Sequence, residues 1–121
     1  VFLYYQDGFQ KPAPFRPDVV VPLDSVWETK INALDAQVSQ FYEWLPWVDR
    51  KLDTVPKDPK ARKAWLSTMR VQPINDAVRK TLVEELGEAA AAQVKQVESF
   101  ELCEYGRRPT LDELRAMFPI K

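Results

Sequence analysis

The sequence predicts an α+β domain that is mainly α-helical and contains two or three short strands. Three observations support this fold class. Apolar residues recur at helical spacing along much of the chain, two short apolar runs have the composition of strands, and S/T-x-x-E motifs mark helix starts at Ser25 and Thr110. A chain of 121 residues can bury one hydrophobic core but is too short for two independent domains, so we expect a single domain over residues 1–121.

Two strands are expected near the start of the chain. Residues 1–5 are apolar, β-branched and aromatic, and they stop at Asp7 and Gly8, which predicts a short buried strand that ends in a turn. A proline-rich connector, residues 12–17, leads to a second strand at residues 19–21, closed by Pro22. Two such strands do not form a stable sheet alone, so helices or another polypeptide should cover or complete them.

The first helix is predicted to begin at Ser25, where Ser25 and Glu28 match a capping box, and to end at Pro46. Its apolar stripe consists of Trp27, Ile31, Leu34, Val38, Phe41 and Leu45. The end of this helix is too apolar for a free surface. We therefore expect Phe41, Tyr42, Trp44 and Trp47 to pack inside the domain or to form an interface with another subunit.

Two further helices are predicted in the middle of the chain. Asp58 and Pro59 are a typical cap and first helical residue. The residues expected to face inward from this helix are Ala61, Ala64, Trp65 and Met69. Pro73 interrupts it, and the following helix should end at Gly87. Its predicted stripe is Ile74, Ala77, Val78, Leu82, Val83 and Leu86.

The last third of the chain is less clearly patterned. Residues 88–93 favour helix, whereas residues 94–103 fit neither the helical nor the strand period, so both remain open there. We favour an extended segment near residues 99–105. Thr110 and Glu113 form a second capping box, which predicts a short final helix that ends at Pro119.

Composition excludes several classes of site. The chain has no histidine, which removes histidine triads, zinc fingers and H-E-x-x-H sites from this chain alone. The single cysteine, Cys103, permits no internal disulfide and suits a reducing compartment, so a cytoplasmic location is expected. Asp18, Asp24 and Glu28 are not arranged as a calcium loop. We expect no catalytic residues, no bound metal and no cofactor.

Charge and hydropathy restrict the expected partners. Residues 46–80 contain nine basic and four acidic groups, and residues 81–105 contain one basic and six acidic groups. The basic stretch lies beside an acidic one of equal and opposite net charge and lacks interleaved aromatic residues, so nucleic-acid binding is not expected. No apolar run approaches the length of a membrane span, and the first residues lack the basic start of a signal peptide.

One stretch resembles a known family. Residues 17–47 read PDVVVPLDSVWETKINALDAQVSQFYEWLPW. They resemble the C-terminal part of the PIG-L/LmbE family of zinc-dependent N-deacetylases, in which a strand P-D-V-x-V-D-I-S leads into a helix K-x-x-A-L-x-x-H-x-S-Q. The positions that match the helix motif are Lys30, Ala33, Leu34, Ser39 and Gln40. Residues 99–119 also resemble the ending of bacterial members with a long C-terminal extension.

The resemblance implies the C-terminal portion of a Rossmann-like α/β deacetylase fold, with residues 1–47 as the family-like region and residues 48–121 as a helical extension. Family members hold zinc through an upstream H-P-D-D type motif and a later histidine, and neither is present here. Gln37 stands where the helix motif has histidine, and Pro22 stands where the strand motif has aspartate. We therefore expect no deacetylase activity from this chain alone.

Three roles follow as hypotheses. The first is a truncated PIG-L/LmbE-like protein that acts as a structural or self-association module, either as a homo-oligomer or with a partner chain that completes its sheet. The second is a small-molecule binding domain for amino-sugar-like ligands, with Lys30, Gln37, Ser39 and Gln40 as contacts. The third is the non-catalytic part of a zinc-dependent N-deacetylase that another chain completes.

Overall fold

A computed structural model describes residues 1–6, 8, 13–118 and 120, which form a mixed α+β structure. The chain divides into two compact units: Val1–Asp24 with Gln72–Lys121, named here the sheet unit, and Ser25–Val71, named the helical unit. The elements in chain order are β1 (Leu3–Tyr5), β2 (Val19–Pro22), α1 (Trp27–Asp35), a π-helical segment (Ser39–Trp44), α2 (Leu45–Val48), α3 (Pro59–Met69), α4 (Asp76–Leu86), α5 (Glu88–Ala91), β3 (Val97–Leu102) and α6 (Leu111–Arg115). No helix in the described part of the chain is long and apolar enough to cross a lipid bilayer.

The sheet has three antiparallel strands in the order β1-β3-β2. The strand predicted at residues 19–21 is confirmed, and the segment with an ambiguous period contains the central strand β3. The strand predicted at residues 1–5 is also present, but its expected burial is wrong, because Tyr4 and Tyr5 are 42% and 52% exposed. β1 lies at an edge of the sheet, where fewer neighbours cover a side chain.

The core of the sheet unit lies where α4 and α5 pack against β2 and β3. Its buried residues are Val20, Val78, Leu82, Ala91 and Val97, and the partly buried residues packed around them are Ile74, Val83, Leu86 and Val94. Burial of each large aliphatic side chain stabilises the fold by roughly 1.5–3 kcal/mol relative to exposure. The predicted α4 stripe is thus confirmed except for Ala77, which is exposed.

Helix α4 begins and ends on local signals. The Asn75 side chain accepts a hydrogen bond from the Val78 N–H at 3.0 Å, which satisfies a backbone donor in the first turn. Gly87 follows the helix with φ of 79°, a backbone conformation that glycine adopts without steric cost. The predicted end at Gly87 is therefore confirmed, whereas Pro73 lies before the cap.

The helical unit corrects the prediction for the first helix. The Ser25 capping box is wrong, because Ser25 lies in a 3₁₀ turn and α1 has no side-chain cap. The Glu28 carboxylate instead pairs with the Lys63 ammonium at 2.5 Å. The helix also ends at Asp35 rather than at Pro46, and Pro46 lies in the first turn of α2, which directly follows the π-helical segment.

Helix α3 begins as predicted but buries a different face. Asp58 accepts a hydrogen bond from the Ala61 N–H at 2.8 Å, and Pro59 is the first helical residue, which confirms the start. The predicted inward face is wrong for Ala61, Ala64 and Met69, which are exposed, while Trp65 is half-buried. The fully buried residue is Leu66. The packed face is thus rotated by about one residue from the prediction.

Helix α6 confirms the second capping box. The Thr110 hydroxyl accepts from the Glu113 N–H at 3.2 Å, and the Glu113 carboxylate accepts from the Thr110 N–H at 2.8 Å. The predicted end at Pro119 lies outside the described residues, as do Asp7 of the predicted turn and Pro12 of the connector.

Candidate functional site

The outer edge of β2 is closed by side chains of α4. Neighbouring residues of an antiparallel strand point their N–H groups alternately toward and away from the partner strand. The Leu23 N–H donates to the Gln96 carbonyl at 2.8 Å, so the Val20 N–H points away from β3. It donates to the Glu85 carboxylate at 3.2 Å. Pro22, the next outward position, has no N–H to donate.

A second α4 side chain contacts the same edge. The Thr81 hydroxyl donates to the Pro17 carbonyl at 2.8 Å. Thr81 and Glu85 are four residues apart and therefore lie on one face of α4. This face satisfies one carbonyl and one N–H of the edge formed by residues 17–22, so that edge, named here the closed edge, is protected against a further strand.

Glu85 itself is buried. Its side chain is 1% exposed, and the Arg115 Nε atom lies 3.3 Å from its Oε1 atom. Within the described part of the chain, no hydrogen-bond partner reaches the buried Oε2 atom. Burial raises the pKa of Glu85 to about 7, although the Val20 N–H and the Arg115 charge oppose the rise. The carboxyl group therefore changes its protonation state near neutral pH.

The outer edge of β1 has the opposite character. The Cys103 N–H donates to the Phe2 carbonyl at 3.0 Å, so Phe2 and Tyr4 pair with β3, while Leu3 and Tyr5 point their N–H and C=O groups outward. No other strand in the described ranges pairs with this edge, named here the open edge. Residues 1–6 contain no charged side chain and no proline.

Side chains hold β1 against β3 from within the sheet unit. The Tyr4 hydroxyl donates to the Glu104 carboxylate at 2.8 Å, and the Tyr5 ring meets the Phe100 ring edge-on at 5.8 Å. Hydrogen bonding with Cys103 and Glu104 raises the pKa of the Tyr4 phenol. These contacts position the open edge.

Beyond the end of β1, the Gln72 side chain takes the place of a neighbouring strand as hydrogen-bond partner of β3. The Ser99 N–H, which faces the β1 side of β3, donates to the Gln72 side-chain oxygen at 3.2 Å. The Gln72 amide nitrogen in turn donates to the Ser99 hydroxyl. Ser99 is fully buried, so these bonds satisfy polar groups that would otherwise be costly to bury.

The predicted interface residues of the helical unit divide into two groups. Tyr42 is buried, its hydroxyl donates to Asp35 at 2.6 Å, and the Arg62 guanidinium lies 4.3 Å from the centre of its ring. Phe41 is half-buried, with the Arg70 guanidinium 5.0 Å from its ring centre. The other predicted interface residues, Trp44 and Trp47, are 53% and 66% exposed. A subunit contact through them stays a prediction.

The four predicted ligand contacts lie in the helical unit. Lys30 is half-buried on α1, and its ammonium lies 5.5 Å from the centre of the Trp27 ring. Gln37 and Ser39 are exposed where the π-helical segment begins, and the Gln40 N–H donates to the Gln37 carbonyl at 3.1 Å. The hydrogen bond from Gln40 to Gln37 thus places Gln37, Ser39 and Gln40 in one turn. Their role as ligand contacts stays a prediction.

The acidic residues considered as metal ligands have structural partners. Asp18 pairs with Arg16 at 2.7 Å. Asp24 accepts the backbone N–H groups of residues 95 and 96, and Glu28 pairs with Lys63. Among the residues that can be described, no group of three or more potential ligands is placed to hold a metal ion.

A cleft of about 490 Å³ lies beside Glu85 in the sheet unit. Arg115 lines it and pairs with the Glu84 carboxylate at 3.0 Å. Its lining residues are Glu84, Glu85, Asp112, Arg115, Ala116, Phe118 and Ile120. Arg115 thus joins α6 to α4 at the place where Glu85 closes the sheet edge.

Sequence reasoning missed Thr81, Glu85 and Gln72. A signal existed for the first two, because they are three and seven residues after Val78 and so continue the apolar stripe of α4. A polar residue on a core stripe indicates a buried hydrogen bond. Gln72 carries no such local signal, since its partner Ser99 is distant in sequence.

Comparison with protein-family models, with curated proteins and with solved structures found no match to this chain. The sheet unit has one closed and one open edge, and the helical unit exposes Trp44 and Trp47 while it buries Tyr42.

Proposed function

We propose that the chain is the C-terminal portion of a PIG-L/LmbE-like protein, has no deacetylase activity of its own, and acts as a structural module. In this role β1 pairs with a strand of another polypeptide and extends the sheet. The observation that carries the proposal is the asymmetry of the sheet: the edge at β2 is closed by Glu85, Thr81 and Pro22, whereas the edge at β1 is open.

Edge chemistry supports this role. Proteins protect exposed sheet edges with proline, charged residues, bulges or covering elements, because unpaired N–H and C=O groups recruit other strands. The closed edge has such protection. The strand at the open edge has no charge or proline, and Tyr4 and Tyr5 expose much of their rings beside it. Strand addition at an open edge is a common mode of protein recognition.

The absence of catalysis is proposed on the chemistry of the residues. A catalytic zinc site typically uses three protein ligands and activates a bound water. The chain has no histidine, and Asp18, Asp24 and Glu28 are engaged with other groups. We propose that the family zinc, if it acts with this chain, is held by the partner polypeptide. A cytoplasmic location remains part of the proposal.

Two experiments test the proposal. The purified chain should release no acetate from N-acetylglucosamine substrates with added zinc, and release above the rate of a heat-denatured sample would contradict it. In the second, the chain is co-expressed with the zinc-binding portion of a PIG-L/LmbE protein. We expect a complex with the Tyr5→Ala variant but none with Tyr5→Pro. Both variants lose the ring, but only proline lacks the outward N–H. Equal recovery with both variants would show that β1 does not pair.

A second proposed function is amino-sugar binding at the helical unit. The observation that favours it is the turn that exposes Gln37 and Ser39, on the chain segment that follows Lys30 and Trp27. Amide and hydroxyl groups are suited to hydroxyl-rich ligands because they both donate and accept hydrogen bonds. Titration with N-acetylglucosamine should shift the amide resonances of residues 37–40, and unchanged resonances at millimolar sugar would contradict this function.

A further inference from the structure

We infer that the strand received by the open edge is β1 of a second copy of this chain, related by a two-fold axis at Tyr4. This inference rests on the proposed function, since it names the partner of the same edge. The two sheets would join into one antiparallel sheet of six strands.

The alternation of β1 determines the register. Leu3 and Tyr5 are the residues whose N–H and C=O groups point outward. In an antiparallel pair that uses the whole of β1, Leu3 exchanges both hydrogen bonds with Tyr5 of the second copy, and the symmetric pair does the same. Tyr4 then lies directly opposite Tyr4 of the second copy, in a pair without mutual hydrogen bonds.

Charge favours a second copy as the occupant. Like charges directly opposite each other destabilise neighbouring strands. Residues 1–6 carry no charged side chain, so two identical strands can pair without repulsion. Phe2 is 63% exposed, and together with Tyr4 and Tyr5 it supplies aromatic surface that pairing would partly cover. Two-fold symmetric dimers are the commonest homo-oligomers.

The closed edge explains why assembly would stop at two copies. Continued growth of a sheet requires a second edge that accepts strands, as in fibres. The Val20 N–H is engaged by Glu85, and Pro22 has no N–H, so the edge at β2 does not offer outward donors at these positions. Pairing through β1 therefore yields a closed dimer.

Disulfide trapping tests the register. Tyr4→Cys is introduced in a Cys103→Ser background, so that the introduced thiol is the only one. Opposed residues of this pair type have Cα atoms about 4.5 Å apart, within the range that a disulfide spans. Mild oxidation should convert most of Tyr4→Cys to a linked dimer. Tyr5→Cys is the matched control: its two copies would be roughly 8 Å apart, beyond that range, and should stay largely unlinked.

Light scattering supplies an independent measurement that needs no cross-linking. We expect twice the chain mass for the wild type and for Tyr5→Ala, and a fall to the single-chain mass for Tyr5→Pro. A wild-type monomer across a wide concentration range, or equal cross-linking of Tyr4→Cys and Tyr5→Cys, would overturn the inference. If that monomer is still captured through β1 in the co-expression experiment, the proposed function stands; if capture also fails, both fall.

Discussion

The Glu85 carboxylate accepts a hydrogen bond from the Val20 backbone N–H at 3.2 Å, so a helix side chain occupies the place of a neighbouring strand. The Glu85 carboxylate is ionisable, and its side chain is only 1% exposed. Burial of a carboxylate is costly unless it is well paired, and one of its oxygens has no partner among the described residues. Closure of the sheet edge is thus linked to the protonation of one residue.

Glu85→Gln should change how stability depends on pH. Burial raises the pKa of Glu85 from 4.5 to about 7, so between these values the native chain binds this proton more tightly than the unfolded chain. The free energy of unfolding therefore falls as pH rises through this window, by on the order of 3 kcal/mol from this group. Urea unfolding from pH 5 to pH 8 should show Glu85→Gln gaining stability relative to wild type as pH rises.

Glu84→Gln is the matched control for this experiment. Glu84 is the preceding residue of α4 and also pairs with Arg115, but its side chain is 45% exposed. Its substitution should leave the slope of stability against pH nearly unchanged in this window. The same gain in both variants would mean that the Arg115 contacts, and not the burial of Glu85, produce the pH dependence.

The two S/T-x-x-E motifs should differ in their contribution to stability. Thr110→Ala removes a hydroxyl that caps α6, and we expect a loss of about 1 kcal/mol in the free energy of unfolding. Ser25→Ala removes a hydroxyl that caps no helix, so the change should stay within about 0.5 kcal/mol. Chemical denaturation of both variants compares them, and equal losses would contradict the assigned caps.

Leu66→Ala should be the damaging substitution in α3. Leu66 is fully buried, and truncation of such a residue costs about 2–5 kcal/mol because a cavity remains. Met69, three residues later, is 39% exposed, and Met69→Ala should cost less than about 1 kcal/mol. Thermal and urea unfolding measure both. A larger loss of stability for Met69→Ala than for Leu66→Ala would contradict this burial and support the helix face predicted from the sequence.

Tyr42→Phe should destabilise the helical unit by about 1–2 kcal/mol, since it removes the hydroxyl that donates to Asp35 at 2.6 Å and leaves the ring in place. Asp35→Asn is the control, because the amide oxygen still accepts that bond, and its loss should be smaller. Urea unfolding measures the free energy of unfolding of both variants. Burial raises the pKa of Tyr42 to about 12, so in alkaline titration Tyr42→Phe should lack a late-titrating phenol.

Short-range signals predicted much of the secondary structure. The caps at Asp58 and Thr110 and the stop at Gly87 were recoverable because each depends on residues within a few positions along the chain. The strand at residues 19–22 was equally visible in its apolar composition. The Ser25 motif failed because Ser25 lies inside a 3₁₀ turn and not at the N-cap, while Glu28 pairs with Lys63, 35 residues away in sequence.

The candidate site was harder to predict than the secondary structure. The open edge follows in part from the sequence, since the uncharged, proline-free strand is visible there. That β3 lies between β1 and β2, and that α4 closes one edge only, depends on pairings across the whole sheet unit. The position of Glu85 on the apolar stripe of α4 is visible in the sequence, but its partner Val20 is 65 residues away.

By itself, the sequence determined the α+β class, the starts of α3 and α6, the end of α4, and the lack of histidine for metal or acid-base chemistry. The tertiary structure decided which face of α3 is buried, which glutamate becomes a buried acid, and which sheet edge is open. The physical reason is how far apart in sequence the interacting groups lie. Caps and turns depend on backbone groups a few residues apart, whereas burial and edge closure arise only when distant segments exclude water from one another.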